Sequence, residues 1–505
     1  MNELFDFDDI LIEPVKLSDI RSRSEVNIKY NNGKLPLMTA PMDTVISTQN
    51  LNYFLDNDII PVLPRGIENE SKNMVFTSYG LSEFETKFID NPIELTDKIY
   101  VLIDVANGHM REMYKIVKIA KELYGDNLCL MVGNVANPDT FIEYARLNVD
   151  YVRIGIGNGN GCWVDDTLIN TIDGHKPIQN IELNDKVLTH LGSYKEVINK
   201  ISYEINDELT LINGEICTND HELYVINKKD LNLVNENNYT DFAFFVSADK
   251  IDENKHLILS WDINYMKLKF NEVKKEKIKI KSFVHDLTVK DDHSYCVGRD
   301  NLIVHNCLTT VQTGIGYPMA SLIKECKQQL HILNTHDDRE YNKFISKTKI
   351  VADGGFKKYS DIIKALALGA DYVMLGSIFN KALESSGETI YYEQLTPTVI
   401  KRKVTIDQYS DDAKKRFEAD LPLYKTFRGM STKDVQKNWG RTELKTSEGI
   451  VKTQQVEYTI KGWINNFESY LKSAMSYTGK NELPQFIGGV HYNFITQNSF
   501  NRFNK

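Results

Sequence analysis

The sequence predicts an α/β fold, an eight-stranded (β/α)8 barrel interrupted after its sixth strand by an all-β segment. Three observations predict it. Up to about residue 160 the chain alternates short apolar runs with helical, charge-dotted stretches, the texture of βα units around a parallel sheet. The same alternation resumes near Ser321 and adds two further apolar runs. Between these pieces the texture changes to short β-branched runs with little helical periodicity.

The first piece supplies strands at Leu37–Thr39, Ile59–Leu63, Met74–Thr77, Tyr100–Ile103, Leu128–Val132 and Tyr151–Ile154. Helical periodicity between them is clearest from Met110 to Leu123, where apolar residues recur at three and four. After a helix near Ser321, Ile350–Ala352 and Tyr372–Leu375 read as two more strands, and six plus two is the count of a TIM barrel. The stretch from Glu384 to Ala419 has no interpretable pattern, and its charge reads as a solvated face. The intervening segment carries Glu208–Ile212, Leu223–Ile226, Lys279–Val284 and Leu302–Val304 as strands. It interrupts the loop GIGNGNG, Gly155 to Gly161, and runs from residue 162 to 306, whereas a βα loop ordinarily needs roughly 2 to 6 residues.

Composition narrows the function classes. With 505 residues, 42% hydrophobic and 26% charged, the chain has room for several domains with real cores. Sixty Lys and Arg against 70 Asp and Glu give a net charge of −10, without the basic field that holds nucleic acid. No run approaches the roughly 18 to 20 apolar residues of a membrane helix, and the start, MNELFDFDDILIEP, is acidic where a signal peptide is basic. The expectation is a cytoplasmic protein with neither nucleic-acid nor membrane partners. Six cysteines, at 129, 162, 217, 296, 307 and 326, show no CxxC pair and are too sparse for a disulfide framework, so those that matter act as thiols.

Chemistry gathers at the borders of the β-rich segment. It opens at Cys162 and closes with His305-Asn306, followed by Cys307. A thiol on Cys162 can take over the Gly161 acyl group as a thioester, and Cys307 can receive it by transthioesterification. Asn306 can then cyclise through its side-chain amide and cut the second junction. Inside, CTNDHELYV carries Thr218 and His221 in a TxxH arrangement, and HDLTVKDDHSYCV carries Asp286 and His293. Taken in order, these residues make residues 162–306 resemble a mini-intein without a homing endonuclease. The resemblance implies a horseshoe-shaped all-β Hint fold and splicing without ATP or metal. It also implies that Thr218 and His221 strain and protonate the first scissile amide, with Asp286 and His293 as acid/base groups.

Joining 1–161 to 307–505 creates GIGNGNG-CLTTVQTGIGYP. Together with FDFDDILIEP, APMDTV at Ala40 to Val45, DVANGH at Asp104 to His109, VGNV at Val132 to Val135, ADGG at Ala352 to Gly355, LGS at Leu375 to Ser377, RGMS at Arg428 to Ser431 and SEG at Ser447 to Gly449, it resembles the IMP dehydrogenase/GMP reductase family. Barrel enzymes place phosphate sites after strands seven and eight. That suits Asp353, Gly354 and Gly355 after the seventh and Gly376 and Ser377 after the eighth. The resemblance implies Cys307 as the nucleophile that forms a thioimidate at the purine C2, and Thr309 as a proton shuttle. It implies nucleotide contacts at Gly429, Met430, Ser431, Lys445, Ser447 and Gly449. Cofactor contacts are implied at Asp104, Val105, Ala106, Ile156 and Gly157, and a potassium ion on the backbone carbonyls of Gly157, Gly159 and Cys307. Family barrels form tetramers, so a homotetramer after splicing is expected.

Two branches share that loop. The stretch after RGM, STKDVQKNWGRTELKTSEG, resembles the reductase pattern, with Glu448 matching the glutamate that helps protonate departing ammonia and Lys445 standing where Arg is usual. The reading is a reductase that converts GMP and NADPH to IMP, NADP+ and NH3. Asn158 and Asn160 in place of Pro and Ser, and Thr310 in place of Arg, depart from the family pattern. An NAD-dependent IMP dehydrogenase with the same intein stays open, as does a Hint autoprocessing module on an inactive barrel.

Overall fold

The computed structural model describes residues 4–68, 73–155, 162–219, 221–236, 238–290, 292, 294–305, 316–335, 346–396, 399–428, 451–496 and 499. The chain divides into two compact units. One comprises Met1–Gly157, Gly316–Thr389 and Ile406–Lys505; the other comprises Asn158–Ile315 and Ile390–Thr405.

Eight parallel strands make the centre of the first unit: Leu37–Thr39, Val62–Leu63, Phe76–Tyr79, Ile99–Asp104, Leu128–Val135, Tyr151–Ile154, Lys349–Asp353 and Tyr372–Leu375. From the second onward each pairs with its neighbour in sequence, and the eighth returns to pair with the first, Leu37 opposite Val373 through Thr39 opposite Leu375. A bridge between Met38 and Ile60 nearly closes the ring between strands one and two. Both faces of such a sheet are covered, so its strands are largely apolar; Leu128–Val135 is buried at every position except Asn134. Six of these strands precede Cys162 in the chain and two follow the β-rich segment.

Helices pack outside by their periodic faces. Arg111–Tyr124 buries Met113, Ile116, Val117 and Ala120, the three-and-four spacing of one helical face. Pro138–Arg146 starts where the Asn137 side chain accepts from the Asp139 and Thr140 N–H groups, with Pro at the first turn. The third strand begins two residues later than expected, because the Phe76 N–H is bonded to the Pro61 carbonyl and sets the register with strand two. The region read as a solvated face contains the strands Thr389–Thr396 and Val399–Ile406 and the helix Asp411–Glu418. Ser385, Thr389, Ile390 and Ala413 are buried there.

The second unit is β-rich, and the described strands between Trp163 and His305 join in one sheet of thirteen. Its spine is a ribbon of two long antiparallel strands, Tyr194–Ile212 and Lys275–Val289, paired from Val197 opposite Val289 to Ile212 opposite Lys275. The expected runs Glu208–Ile212 and Lys279–Val284 are only pieces of these. Lys alternates with Ile over Lys277–Lys281 within Lys275–Val289, and these polar positions hide the ladder from an apolar-run reading. Trp163–Val164 pairs with this ribbon, and Leu302–His305 pairs with Ser294–Val297. Trp163, Cys217, Leu223, Leu287, Tyr295 and Val304 share one buried apolar cluster.

Candidate functional site

In the second unit, Cys162, Thr218, His221 and Asp286 are all buried. Cys162 and Thr218 are tied reciprocally: the Cys162 N–H donates to Thr218 Oγ1 at 2.9 Å, and the Thr218 N–H donates to the Cys162 carbonyl at 2.9 Å. Thr218 follows the short strand Glu215–Cys217, and its carbonyl accepts the His221 N–H at 3.1 Å, so a tight turn presents His221 on the same side as the opening cysteine. His221 Nε2 accepts from the Trp163 indole at 2.7 Å. The Tyr295 hydroxyl donates to Asp286 Oδ1 at 2.5 Å.

The closing border lies in the same neighbourhood. Val304 is the ladder partner of both Leu223, two residues after His221, and Tyr295, and His305 is the partner of Ser294. Antiparallel pairing therefore runs the closing strand alongside the residues that hold the opening one. The thiol, the threonine and the imidazole thus share a buried place, and Tyr295, whose ring centroid lies 6.5 Å from that of His221, connects it to the Asp286 carboxylate.

In the barrel unit, polar groups gather where the parallel strands end. Asp104 closes strand four, Asn134 lies near the end of strand five, Arg153 is in strand six and Asp353 closes strand seven. Arg153 Nη2 donates to Asp104 Oδ1 at 2.8 Å, Arg153 Nε donates to Asn134 Oδ1 at 2.5 Å, and Nε lies 3.3 Å from Asp353 Oδ2. Asn134 Nδ2 donates to the same Asp353 oxygen at 2.9 Å and to the Gly155 carbonyl at 2.8 Å. Arg65, just after strand two, reaches Asp104 Oδ2 at 3.4 Å. The side chain of Asp353 is 21% exposed against 8% for Asp104, so a ligand can reach the first carboxylate but scarcely the second.

Close approach at this mouth requires glycine. A Cβ on Gly155, whose φ is +120°, would lie 2.3 Å from the Asp353 carbonyl. Gly354 and Gly355 also take positive φ, and Gly376 lies against Met42 and Ala40, where a Cβ would meet Met42 Sδ at 3.0 Å. Beyond Asp104, Val105 is tied by its N–H to Gly133 and by its carbonyl to Asn134, and Ala106 is exposed.

The IMP dehydrogenase / GMP reductase domain matches residues 87–167 and 305–502, more than half of the chain, and skips the segment between. The chain belongs to this family. Among similar curated proteins, the GMP reductase of Lactobacillus acidophilus is 31% identical over 175 residues, which is 32% of this chain and 52% of that protein. The GMP reductase of Ligilactobacillus salivarius is 32% identical over 178 residues, 32% of this chain and 53% of its own. That of Mesoplasma florum is 29% identical over 174 residues, 31% of this chain and 53% of its own. The chain spans about half the length of the curated relatives it matches.

For this member of the IMP dehydrogenase/GMP reductase family, the structure brings together Asp104 and Asp353 in one network and Cys162, Thr218 and His221 in another. Gly354, Gly355, Gly376 and Ser377 follow the last two barrel strands, as the sequence places them. Ile156, Gly157, Gly159, His293, Asn306, Cys307, Thr309, Gly429, Met430, Ser431, Lys445, Glu448, Ser447 and Gly449 lie outside the described residues, as does the His305 side chain. Sequence reasoning missed Arg65, Asn134, Arg153 and Trp163. The available signal for Arg153 was a charge inside the apolar run YVRIG; for Trp163 it was adjacency to the opening cysteine.

Among the described residues no helix is long and apolar enough to cross a membrane.

Proposed function

We propose that this chain is a precursor whose insert, residues 162–306, excises itself and joins Gly161 to Cys307, and that the joined barrel reduces GMP to IMP. The reductase reading is carried by the family match in two flanking segments together with relatives named GMP reductase. The splicing reading is carried by the reciprocal hydrogen bonds between Cys162 and Thr218 beside a ladder that delivers His305 to the same neighbourhood.

In the first step the Cys162 sulfur attacks the Gly161 carbonyl carbon. The C–S bond forms, the C–N bond breaks, and the thiol proton ends on the released nitrogen. Thr218 holds the Cys162 backbone while His221 supplies a proton to that nitrogen, with Asp286 and His293 as acid/base groups assisting both ends. The acyl group passes to Cys307, and attack of the Asn306 side-chain nitrogen on its own carbonyl cuts the second junction. A shift of the acyl group from the Cys307 sulfur to its freed amine leaves an ordinary peptide bond.

In the joined barrel the Cys307 thiolate adds to the purine C2 and ammonia departs, with Thr309 and Glu448 moving the proton. Asp353 accepts ribose hydroxyls, and the backbone at Gly354, Gly355, Gly376 and Ser377 holds the phosphate, with Gly429, Met430, Ser431, Lys445, Ser447 and Gly449 as further nucleotide contacts. The exposed Ala106, on a stretch whose Val105 is fixed to Gly133 and Asn134, fits a surface on which a cofactor rests. NADPH, bound there with Asp104 and Ile156–Gly157 as its contacts, would supply the hydride to C2, and the C2–S bond then breaks to release IMP and the Cys307 thiolate. Backbone carbonyls at Gly157, Gly159 and Cys307 would hold potassium, and we infer a homotetramer in the cytoplasm.

The test is an assay of the ligated product for GMP-dependent NADPH oxidation beside IMP-dependent NAD+ reduction. Activity in the first alone is expected; activity in the second alone moves the protein to the dehydrogenase branch.

A further inference from the structure

Trp163 follows the opening cysteine directly and is completely buried. Its ring meets that of His221 edge-on, with centroids 4.8 Å apart and planes at 70°, and its Nε1–H donates to His221 Nε2 at 2.7 Å. An indole nitrogen is a donor only, whereas a neutral imidazole has one nitrogen that donates and one that accepts. Nε2 is therefore the acceptor, and the proton of neutral His221 sits on Nδ1. The opposite tautomer would set two N–H groups against each other at 2.7 Å, a separation too short for anything to come between them.

The indole is itself clamped. Trp163 pairs in the ladder with Cys217 on one side and His285 on the other. His285 is bonded through Nε2 to Asp165 and through Nδ1 to Ser202, both at 2.6 Å, which fixes the short opening strand to the long ribbon. Cys162, Thr218, His221 and Trp163 thus form a closed circuit, linked by the Cys162 to Thr218 bonds, the turn from Thr218 to His221, the indole bond, and the peptide back to Cys162.

We propose that Trp163 is a positioning residue for the first junction: its indole N–H holds His221 in the Nδ1–H tautomer, and so selects the nitrogen that gives up a proton when the Gly161–Cys162 C–N bond breaks. This rests on the splicing reading above. The Nδ1 proton passes to the released amine and the Cys162 thiol proton replaces it on Nδ1, so the ring ends as the same neutral tautomer.

The experiment uses the full chain carrying Asn306→Ala, which blocks the second junction, with and without Trp163→Phe, a change that keeps the ring and removes the N–H. Cleavage at the first junction by added dithiothreitol is followed by intact-protein mass across pH, and thermal unfolding is recorded on both. Trp163→Phe is expected to slow cleavage about tenfold, the effect of one lost hydrogen bond, and to change the pH profile, with unfolding temperatures that stay close. In parallel, 15N NMR of the Cys162→Ala, Asn306→Ala chain reads the tautomer of His221, assigned by loss of its signals in His221→Gln. An Nδ1–H ring is expected. An Nε2–H ring, or an unchanged cleavage rate and pH profile in Trp163→Phe, overturns the proposal. Absence of cleavage in the parent that retains Trp163 counts instead against the splicing reading, and the NMR result then decides the tautomer claim by itself.

Discussion

Two buried contacts set what single residues do. The Cys162 N–H has Thr218 Oγ1 as its acceptor at 2.9 Å, and removing that oxygen leaves a buried donor that alanine cannot satisfy. Thr218→Ala is expected to slow first-junction cleavage about tenfold in the Asn306→Ala background, which intact mass against time measures. An unchanged rate would show that the threonine only closes the turn. At the barrel mouth, Arg153 bonds Asp104 and Asn134 and sits beside Asp353, with 8% of its side chain exposed. Arg153→Met strands the Asp104 carboxylate with Arg65 as its remaining described partner. The expected loss is about 3 kcal/mol or more, since breaking a buried ion pair from one side leaves an uncompensated charge. Urea unfolding of the junction-blocked chain checks it, and a loss under 1 kcal/mol would mean that the network reorganises around Arg65. A single sequence shows Arg153 as a charge in a strand. Its partners come from strands four, five and seven, and only the closure of the barrel shows that their ends meet.

Individual elements were legible where burial on two faces makes a strand largely apolar, as in Leu128–Val135 and Tyr372–Leu375. They were less legible in the long ribbon, where alternating Lys and Ile leave no apolar run, and in Thr389–Thr396 and Val399–Ile406. The strand Tyr424–Arg428 carries a further consequence. Lys425 is completely buried, its Nζ donating to the Ser385 carbonyl at 2.5 Å, and burial pushes its ammonium down to about 7, opposed by Glu384 nearby. In the unfolded chain the same group titrates near 10.5. Between those values the unfolded state holds more protons, so this site makes stability rise with pH from about 7 toward 10.5 and leaves it flat below. Lys425→Met removes that dependence. Its unfolding temperature relative to the parent is expected to be most favourable near pH 7 and to lose that advantage as pH climbs to 10. A gap that does not change with pH would mean that the lysine stays charged when folded.

At the scale of the whole chain, the family match stops at residue 167 and resumes at 305, leaving a β-rich segment with its own core in between. The break falls inside the loop that, once joined, reads GIGNGNG-CLTTVQTGIGYP, and Cys307 is asked to serve first as splicing acceptor and then as the nucleophile toward the purine. An unspliced chain should therefore have no oxidoreductase activity. The measurement that bears most directly on this account is intact-protein mass spectrometry of the freshly expressed chain beside its Cys162→Ala, Asn306→Ala double variant, with GMP-dependent NADPH oxidation assayed on each. A shortened, ligated product that oxidises NADPH is expected next to an inert full-length variant. A wild-type chain that stays full-length, or a full-length variant as active as the wild type, would contradict it.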